Sequence, residues 1–294
     1  MRWHDRVAYA ALGDSYSAGE TGDDDGYVPG YDDQPKCHRH EAAYPSLLRV
    51  VGATGAAESE AVSFDFLACT GGRTYNVVRD LDDLAGAGEI SDGERQPKES
   101  RGPAPSIGTT RQNLSLAEIQ ALRDVDLVTM TIGGNDAKWA DVLAECFFEA
   151  SEQSANDCFD GINKFPGTQT PLNEWVDHRL GVVVARVEAT VRDIRLTAPN
   201  ATVVMVGYPQ LTPGLDEEQR CGKFDPPFAG RKKITPTEQN KFRAYAVQLE
   251  AQLEAVAIQL GVHYVPVAEA FAGHEVCGNG GEWKIGRASC RERV

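Results

Sequence analysis

Five short apolar runs separated by helical patterns are the feature that most constrains the fold of this 294-residue chain. The runs are largely continuous rather than alternating, which is typical of strands that are covered on both faces. They occupy residues 7–12, 62–67, 126–132, 202–207 and 263–267. Because strands alternate with helices, the pattern predicts a roughly five-stranded parallel sheet between helical layers, a three-layer α/β/α sandwich.

Two long helices are predicted before and after the fourth run. Residues 235–260 begin with a capping box, in which Thr235 is the cap and Glu238 its partner, and they end at Gly261. The other helix covers about 173–197. Apolar stripes predict the faces that pack inward: Phe242, Tyr245, Ala246, Leu249, Leu253, Val256 and Leu260 on one helix, and Trp175, Leu180, Val183, Val184, Val187, Val191 and Ile194 on the other.

Charge and hydropathy exclude two classes of partner. The formal net charge is −15, which argues against nucleic acid because phosphate contacts need Lys and Arg. No apolar stretch approaches the roughly 20 residues of a membrane-spanning helix. Three polar insertions rich in Gly, Pro and acidic residues, 21–40, 80–113 and 208–234, are predicted to be loops that shape a substrate site.

Each of the first three apolar runs is followed by a glycine-bearing polar motif. Gly13-Asp14-Ser15 follows the first run, Cys69-Thr70-Gly71-Gly72 the second, and Gly133-Gly134-Asn135-Asp136 the third. A serine at the end of a buried strand and the start of a helix stands where α/β proteins place a nucleophile. Taken singly, the same residues would also make a helix cap and two ordinary turns.

In this order, the three motifs resemble the first three sequence blocks of the SGNH (GDSL-type) ester hydrolases. The resemblance covers roughly residues 6–283 and implies a flavodoxin-like sheet. It implies that Ser15 is the nucleophile, and that the N–H of Ser15, the N–H of Gly71 and the side-chain amide of Asn135 form the oxyanion hole. Such preorganised donors are what a tetrahedral intermediate requires. The implied activity is cofactor-independent hydrolysis of small-molecule or lipid esters, through an acyl-enzyme, by a monomer.

Seven cysteines occur, and the first six form three sequential pairs. From spacing alone, the segments 146–158 and 221–277 could each be closed by a disulfide, with buried thiols as the alternative. The chain is most similar to the long, secreted, lipase- and esterase-like branch of the family. That similarity implies three disulfides, Cys37–Cys69, Cys146–Cys158 and Cys221–Cys277, and a secreted protein, although no signal peptide opens the sequence.

The general base of the family has no counterpart in this sequence. Its histidine follows the region similar to Gly273-His274-Glu275-Val276-Cys277, whereas here His274 is the last histidine. We interpret His274 as a loop residue, with substitution for the base as the alternative, and His263 as a core strand residue.

Residues 285–294 match the in-frame translation of a common sequencing adapter. We therefore expect one hydrolase domain over 1–283, incomplete at its C-terminus, a non-native tail over 284–294, and impaired activity.

Other interpretations of these residues are weaker. Cys37, His38, His40 and Cys69 could hold zinc, but their spacing is not that of a standard zinc site. The acidic loop around 23–33 lacks the ligand pattern of an EF-hand, so no metal is predicted. The alternative function is a non-catalytic α/β/α ligand-binding protein, or an inactive fragment. A flavodoxin-like phosphate loop is disfavoured because acidic side chains crowd the first loop.

Overall fold

The fold is taken from a computed structural model of the chain. It describes residues 7–20, 37–48, 50–51, 57–58, 63–77, 124–144, 146, 158–159, 164–165, 167–214 and 235–275. The expected Cys221–Cys277 disulfide, the tail 284–294 and the greater part of the three predicted loops lie outside these residues. No helix within the described ranges is both long and apolar enough to cross a membrane.

The described strands form one five-stranded sheet and one two-stranded ribbon. They are β1 (Ala8–Gly13), β2 (Val50–Val51), β3 (Ala57–Glu58), β4 (Ser63–Phe66), β5 (Leu127–Thr131), β6 (Thr202–Val206) and β7 (His263–Val265). The large sheet has the order β4-β1-β5-β6-β7, and all of its pairs are parallel. β1 lies beside both β4 and β5, so the chain reverses its winding there and the loops after β1 and β5 meet at one edge.

Six helices connect these strands within the described residues. They are α1 (Ser15–Ala18), α2 (Tyr44–Leu47), α3 (Thr74–Val77), α4 (Trp139–Ala144), α5 (Leu172–Thr197) and α6 (Pro236–Leu260). α6 has the predicted capping box, in which Thr235 accepts from the Glu238 N–H, and it ends at Gly261 in the left-handed conformation. All five predicted strands and both long helices are confirmed.

α5 and α6 cover one face of the sheet. Alternate residues of the strands, such as Leu12, Met130 and Met205, are buried against these helices. Most of the predicted helical stripes lie in this layer, and the fully enclosed members include Val183, Val187 and Leu253. At about 0.8 kcal/mol per buried methylene, this layer is a major source of the stability of the fold.

The opposite face of the sheet is covered unevenly. Over β1 and β4 it is packed by Ala18 and Ala43, from α1 and the residue before α2. Over β5, β6 and β7, by contrast, the same face borders an open cavity. His263 pairs with Val204 on this face and is exposed, so its assignment to the core is wrong. The strand itself was predicted correctly, but β7 is the edge strand, and no described helix covers the face on which His263 lies.

Two of the three expected disulfides are present. Cys37–Cys69 has a Cα–Cα distance of 4.1 Å and joins the segment before α2 to the loop after β4. Cys146–Cys158 has a Cα–Cα distance of 5.3 Å, and both of its cysteines are buried. Because Cys37 and Cys69 are bonded to each other, neither thiol is available to a zinc ion, which supports the disulfide interpretation of these residues.

Candidate active site

The loops that follow β1, β4 and β5 are joined to one another by hydrogen bonds. The Asp14 N–H donates to the Thr131 carbonyl at 2.9 Å, and the Cys69 N–H donates to the Gly13 carbonyl at 3.0 Å. The Asn135 side-chain amide donates to the Gly72 carbonyl at 2.9 Å. Ser15, Gly71 and Asn135 therefore lie in loops that are connected to one another at the carboxyl edge of the sheet.

The turn that presents Ser15 depends on its glycine. Gly13 has a φ of +124°, and a Cβ built on it would lie 2.5 Å from the Thr131 carbonyl oxygen. Asp14 then caps α1, because its Oδ1 accepts the Tyr16 N–H at 3.0 Å. The chain thus leaves β1 sharply, and Ser15 becomes the first residue of the helix.

Ser15 borders the cavity on the uncovered face of the sheet. The cavity has a volume of about 690 Å³. Its wall is mainly apolar and includes Leu47, Leu48, Val204, Val206, Val267 and Phe271. Ser15 is half-buried, and its hydroxyl has no hydrogen-bond partner within the described part of the chain. A hydroxyl at the mouth of an apolar cavity is accessible to a ligand with an apolar portion.

The loop after β4 carries Gly71, whose φ is +75°. The preceding residue is held on both sides: the Thr70 N–H donates to the Cys37 carbonyl at 3.1 Å, and the Thr70 hydroxyl donates to Glu20 at 2.8 Å. Glu20 also lies 3.1 Å from His38 Nδ1. The disulfide and the Glu20 carboxylate therefore fix the backbone immediately before Gly71.

The loop after β5 is anchored by a buried carboxylate. Asp136 accepts the Thr74 N–H at 2.9 Å and the Thr74 hydroxyl at 2.6 Å. The Arg186 guanidinium lies 3.7 Å away, and the Arg179 Nε donates to the Asp136 carbonyl at 2.6 Å. Burial raises the pKa of the Asp136 carboxyl, while the Thr74 hydrogen bonds and Arg186 oppose that rise. These contacts hold Asn135, the preceding residue, against the loop after β4.

Sequence reasoning missed Tyr208, which lies two residues beyond β6. Its hydroxyl donates to Asp14 Oδ2 at 2.5 Å and accepts the Gly134 N–H at 2.8 Å. Asp14 is 1% exposed, and burial raises the pKa of its carboxyl to about 7. The available signal was the position of Tyr208, because an aromatic residue just after a parallel strand lies at the edge where the motifs meet.

None of the hydrogen bonds among the described residues joins a histidine side chain to the Ser15 hydroxyl. His274 follows a short 3₁₀ turn (Glu269–Phe271), and its N–H donates to the Phe271 carbonyl at 2.9 Å. Phe271 borders the cavity, whereas His274 is not among the described residues that do so. His178 and His263 are exposed on a helix and on the edge strand. Within the described ranges, therefore, no histidine is hydrogen-bonded to Ser15.

Comparison with known proteins identifies the family to which this chain belongs. The sequence profile of the GDSL-like Lipase/Acylhydrolase family matches residues 11–284. The chain belongs to this family. Its members are carboxylic ester hydrolases, and the fold and class of enzyme implied by the three motifs are confirmed.

Individual GDSL-like relatives agree with this assignment. Lipase 1 of Streptomyces coelicolor is 29% identical over 94% of this chain and 74% of its own length. A lipase of Streptomyces rimosus is 27% identical over 94% of this chain and 75% of its own length. The crystal structure of phospholipase A1 from Streptomyces albidoflavus NA297 is 26% identical with a TM-score of 0.54, over 95% of this chain and 86% of that chain.

Proposed function

We propose that this member of the GDSL-like lipase/acylhydrolase family hydrolyses carboxylic esters with Ser15 as its nucleophile. We assign the oxyanion hole to the N–H groups of Ser15 and Gly71 and to the side-chain amide of Asn135. The observation that carries the proposal is the connection of the three loops at one edge of the sheet, beside a cavity. One amide hydrogen of Asn135 is bonded to Gly72, which fixes the orientation of the amide and leaves its second hydrogen for a ligand.

The proposed reaction has two steps. The Ser15 hydroxyl loses its proton to a general base as its oxygen attacks the ester carbonyl carbon, and the carbonyl oxygen becomes an oxyanion held by the three donors. The C–O bond to the alcohol then breaks, and the alcohol leaves with the proton. Water attacks the acyl-serine in the same way, which releases a carboxylic acid and restores Ser15.

We propose that His274 is not the general base. The observation that supports this assignment is that His274, which follows the 3₁₀ turn, is not among the described residues that border the cavity. Replacement of His274 by Ala is therefore expected to change kcat by less than twofold, in an assay with a p-nitrophenyl ester. A loss of about 10⁴-fold would instead identify His274 as the base.

The apolar cavity supports esters with apolar acyl chains as substrates. Val206 lies at the carboxyl end of β6, and its side chain borders the cavity that also contains Ser15. We expect Val206→Trp to shift the preferred p-nitrophenyl ester to a shorter acyl chain, because the indole would occupy part of this volume. An unchanged profile across acyl chains of two to sixteen carbons would show that the acyl chain binds elsewhere.

We also infer that the protein acts as a monomer outside the cell. All three proposed oxyanion donors come from one chain, and the two disulfides are typical of oxidising compartments. Light scattering coupled to size exclusion tests the first inference. Fractionation of a native host, with the protein expected in the medium, tests the second.

The decisive experiment for the function compares two serine variants. Ser15→Ala is expected to prevent formation of the acyl-enzyme and to abolish the Ser15-dependent part of ester hydrolysis, without a change in the free energy of unfolding, since its hydroxyl has no partner among the described residues. Ser46→Ala is the control, because Ser46 lies on α2 beside Leu47, which borders the cavity, while Ser46 is not itself among the described residues of the cavity wall. Equal activity of the two variants would refute the assignment of Ser15.

A further inference from the structure

The Tyr208 hydroxyl lies between the two loops that carry the proposed nucleophile and the proposed amide donor. It donates to Asp14, the residue before Ser15, and it accepts the N–H of Gly134, the residue before Asn135. A single oxygen atom therefore joins the residue before the proposed nucleophile Ser15 to the residue before the proposed amide donor Asn135. Asp14 and Gly134 lie in loops after β1 and β5, and these strands are neighbours in the sheet.

The ring of Tyr208 is held as closely as its hydroxyl. Its centroid lies 5.0 Å from that of Tyr16 in an edge-to-face arrangement, with an interplanar angle of 89°. A Cβ built on Gly134 would lie 3.2 Å from three atoms of the tyrosine side chain. The glycine therefore allows the ring to approach the loop, and the hydroxyl reaches the backbone N–H as a result.

The backbone of Tyr208 is fixed from the opposite side. Its N–H donates to Glu250 of α6 at 2.5 Å, and the other oxygen of that carboxylate accepts the Tyr264 hydroxyl at 2.8 Å. Tyr264 lies on β7. A continuous series of hydrogen bonds thus runs from the edge strand through α6 to the loop of Ser15, and Tyr208 is its last member before the site.

We propose that Tyr208 is a positioning residue that sets the separation between Ser15 and the Asn135 amide through its hydrogen bonds to Asp14 and Gly134. The proposal rests on the proposed function of Ser15 and Asn135. An oxyanion hole needs its donors about 3 Å from the developing charge, and a misplacement of about 1 Å can lower a rate a hundredfold. Loss of the bridging hydroxyl would remove the side-chain link between the two loops and leave the Asp14 N–H bond to the Thr131 carbonyl at the base of the site, so the parts of the loops that carry Ser15 and Asn135 could shift relative to each other.

The test is Tyr208→Phe, which removes the hydroxyl and keeps the ring. We expect kcat for a p-nitrophenyl ester to fall 10- to 100-fold while KM changes less than twofold, because the apolar cavity is untouched. Tyr9→Phe is the matched control. Tyr9 is also buried, and its hydroxyl bonds to Thr129 within the sheet at 2.7 Å, away from the three loops. This control is expected to lose stability without loss of kcat.

A second variant and a second measurement keep the proposal testable if Tyr208→Phe folds poorly. Asp14→Asn weakens the same bridge by removing its charge, so it should lower kcat alone and add little in combination with Tyr208→Phe. Amide hydrogen exchange at Gly134 should accelerate in Tyr208→Phe and not in Tyr9→Phe. Additive losses in the double variant would contradict the bridge.

The outcomes separate this inference from the function on which it rests. If wild type and Tyr208→Phe have equal kcat, while Ser15→Ala is inactive, the positioning role is refuted and the function stands. If the wild-type chain hydrolyses no ester, the proposed function fails. Amide hydrogen exchange at Gly134 then decides whether the Tyr208 hydroxyl bridges the two loops. Unchanged exchange overturns the bridge, and faster exchange supports it.

Discussion

The carboxyl edge of the sheet and the α5–α6 layer are both buried, but they are held together by opposite kinds of contact. In the helical layer, apolar side chains such as Val183 and Leu253 pack on the sheet. At the edge, Asp14, Asp136 and Tyr208 join loops that are far apart in sequence through directed hydrogen bonds. Packing tolerates a change in shape by repacking, whereas a directed hydrogen bond fixes two groups at one distance. The comparison suggests that the helical layer sustains the fold and the edge sets the geometry of catalysis.

The largest effect is expected at the edge, from Asn135→Ala. Removal of one oxyanion donor should lower kcat about 10²- to 10³-fold, as measured with a soluble ester under saturating conditions. The free energy of unfolding should change little, because Asn135 is half-buried and its amide donates one hydrogen bond, to Gly72. If Asn135→Ala keeps the wild-type kcat, Asn135 is not an oxyanion donor.

Leu253→Ala probes the opposite region. Leu253 is 1% exposed between α6 and the sheet, so its truncation should lower the free energy of unfolding by about 3 kcal/mol, as measured by urea denaturation. The folded variant should keep kcat within twofold. The control is Ile258→Ala on the same helix, where the side chain is 73% exposed and a change below about 0.5 kcal/mol is expected. A large loss of kcat in folded Leu253→Ala would mean that the two regions are coupled.

How far the sequence predicts each region follows from the same contrast. The strands could be predicted because each is a continuous apolar run, and both long helices could be predicted because apolar residues recur at helical spacing over many turns. Ser15, Gly71 and Asn135 were found because each follows a strand in a short motif. Tyr208 and the Thr74–Asp136 pair could not be found, since a polar contact between distant segments leaves no periodic trace. The exposure of His263 was missed because an apolar run predicts a strand but does not show that the strand lies at the edge of the sheet.

The pH dependence of stability should sharpen the comparison further. Burial raises the pKa of the Asp14 carboxyl to about 7, and the groups that face it are the side chains of Tyr208, Tyr16, Tyr44 and Asp136. A raised folded pKa means that the folded state binds the proton more tightly. Its contribution to stability is therefore full below the unfolded pKa of about 4 and is lost as the pH rises through 7.

For Asp14, this loss amounts to about 2 kcal/mol between pH 5 and pH 7. Urea denaturation of wild type and Asp14→Asn at both pH values isolates it, because other titrating groups are common to both proteins. The wild type should lose about 2 kcal/mol more than the variant over this interval. Parallel curves would show that Asp14 titrates as an ordinary exposed carboxyl.

The smallest effect is expected from Thr74→Ser, a conservative change at the edge. The serine keeps the hydroxyl that donates to Asp136 and loses only a methyl group, so stability should fall by no more than about 1 kcal/mol and kcat should stay within twofold. Thr74→Val, which keeps the shape and removes the donor, should cost about 1–3 kcal/mol and lower kcat. Equal behaviour of the two variants would show that this hydrogen bond does not hold the loop of Asn135.

The most direct test of a catalytic edge built from three loops is a crystal structure of the protein treated with a p-nitrophenyl alkylphosphonate. The phosphonyl group imitates the tetrahedral intermediate and marks the nucleophile covalently. We predict phosphorus bonded to Ser15 Oγ, with its phosphoryl oxygen about 3 Å from the Gly71 N–H nitrogen and from the Asn135 amide nitrogen. An adduct on another residue, or a phosphoryl oxygen more than about 4 Å from both donors, would contradict it.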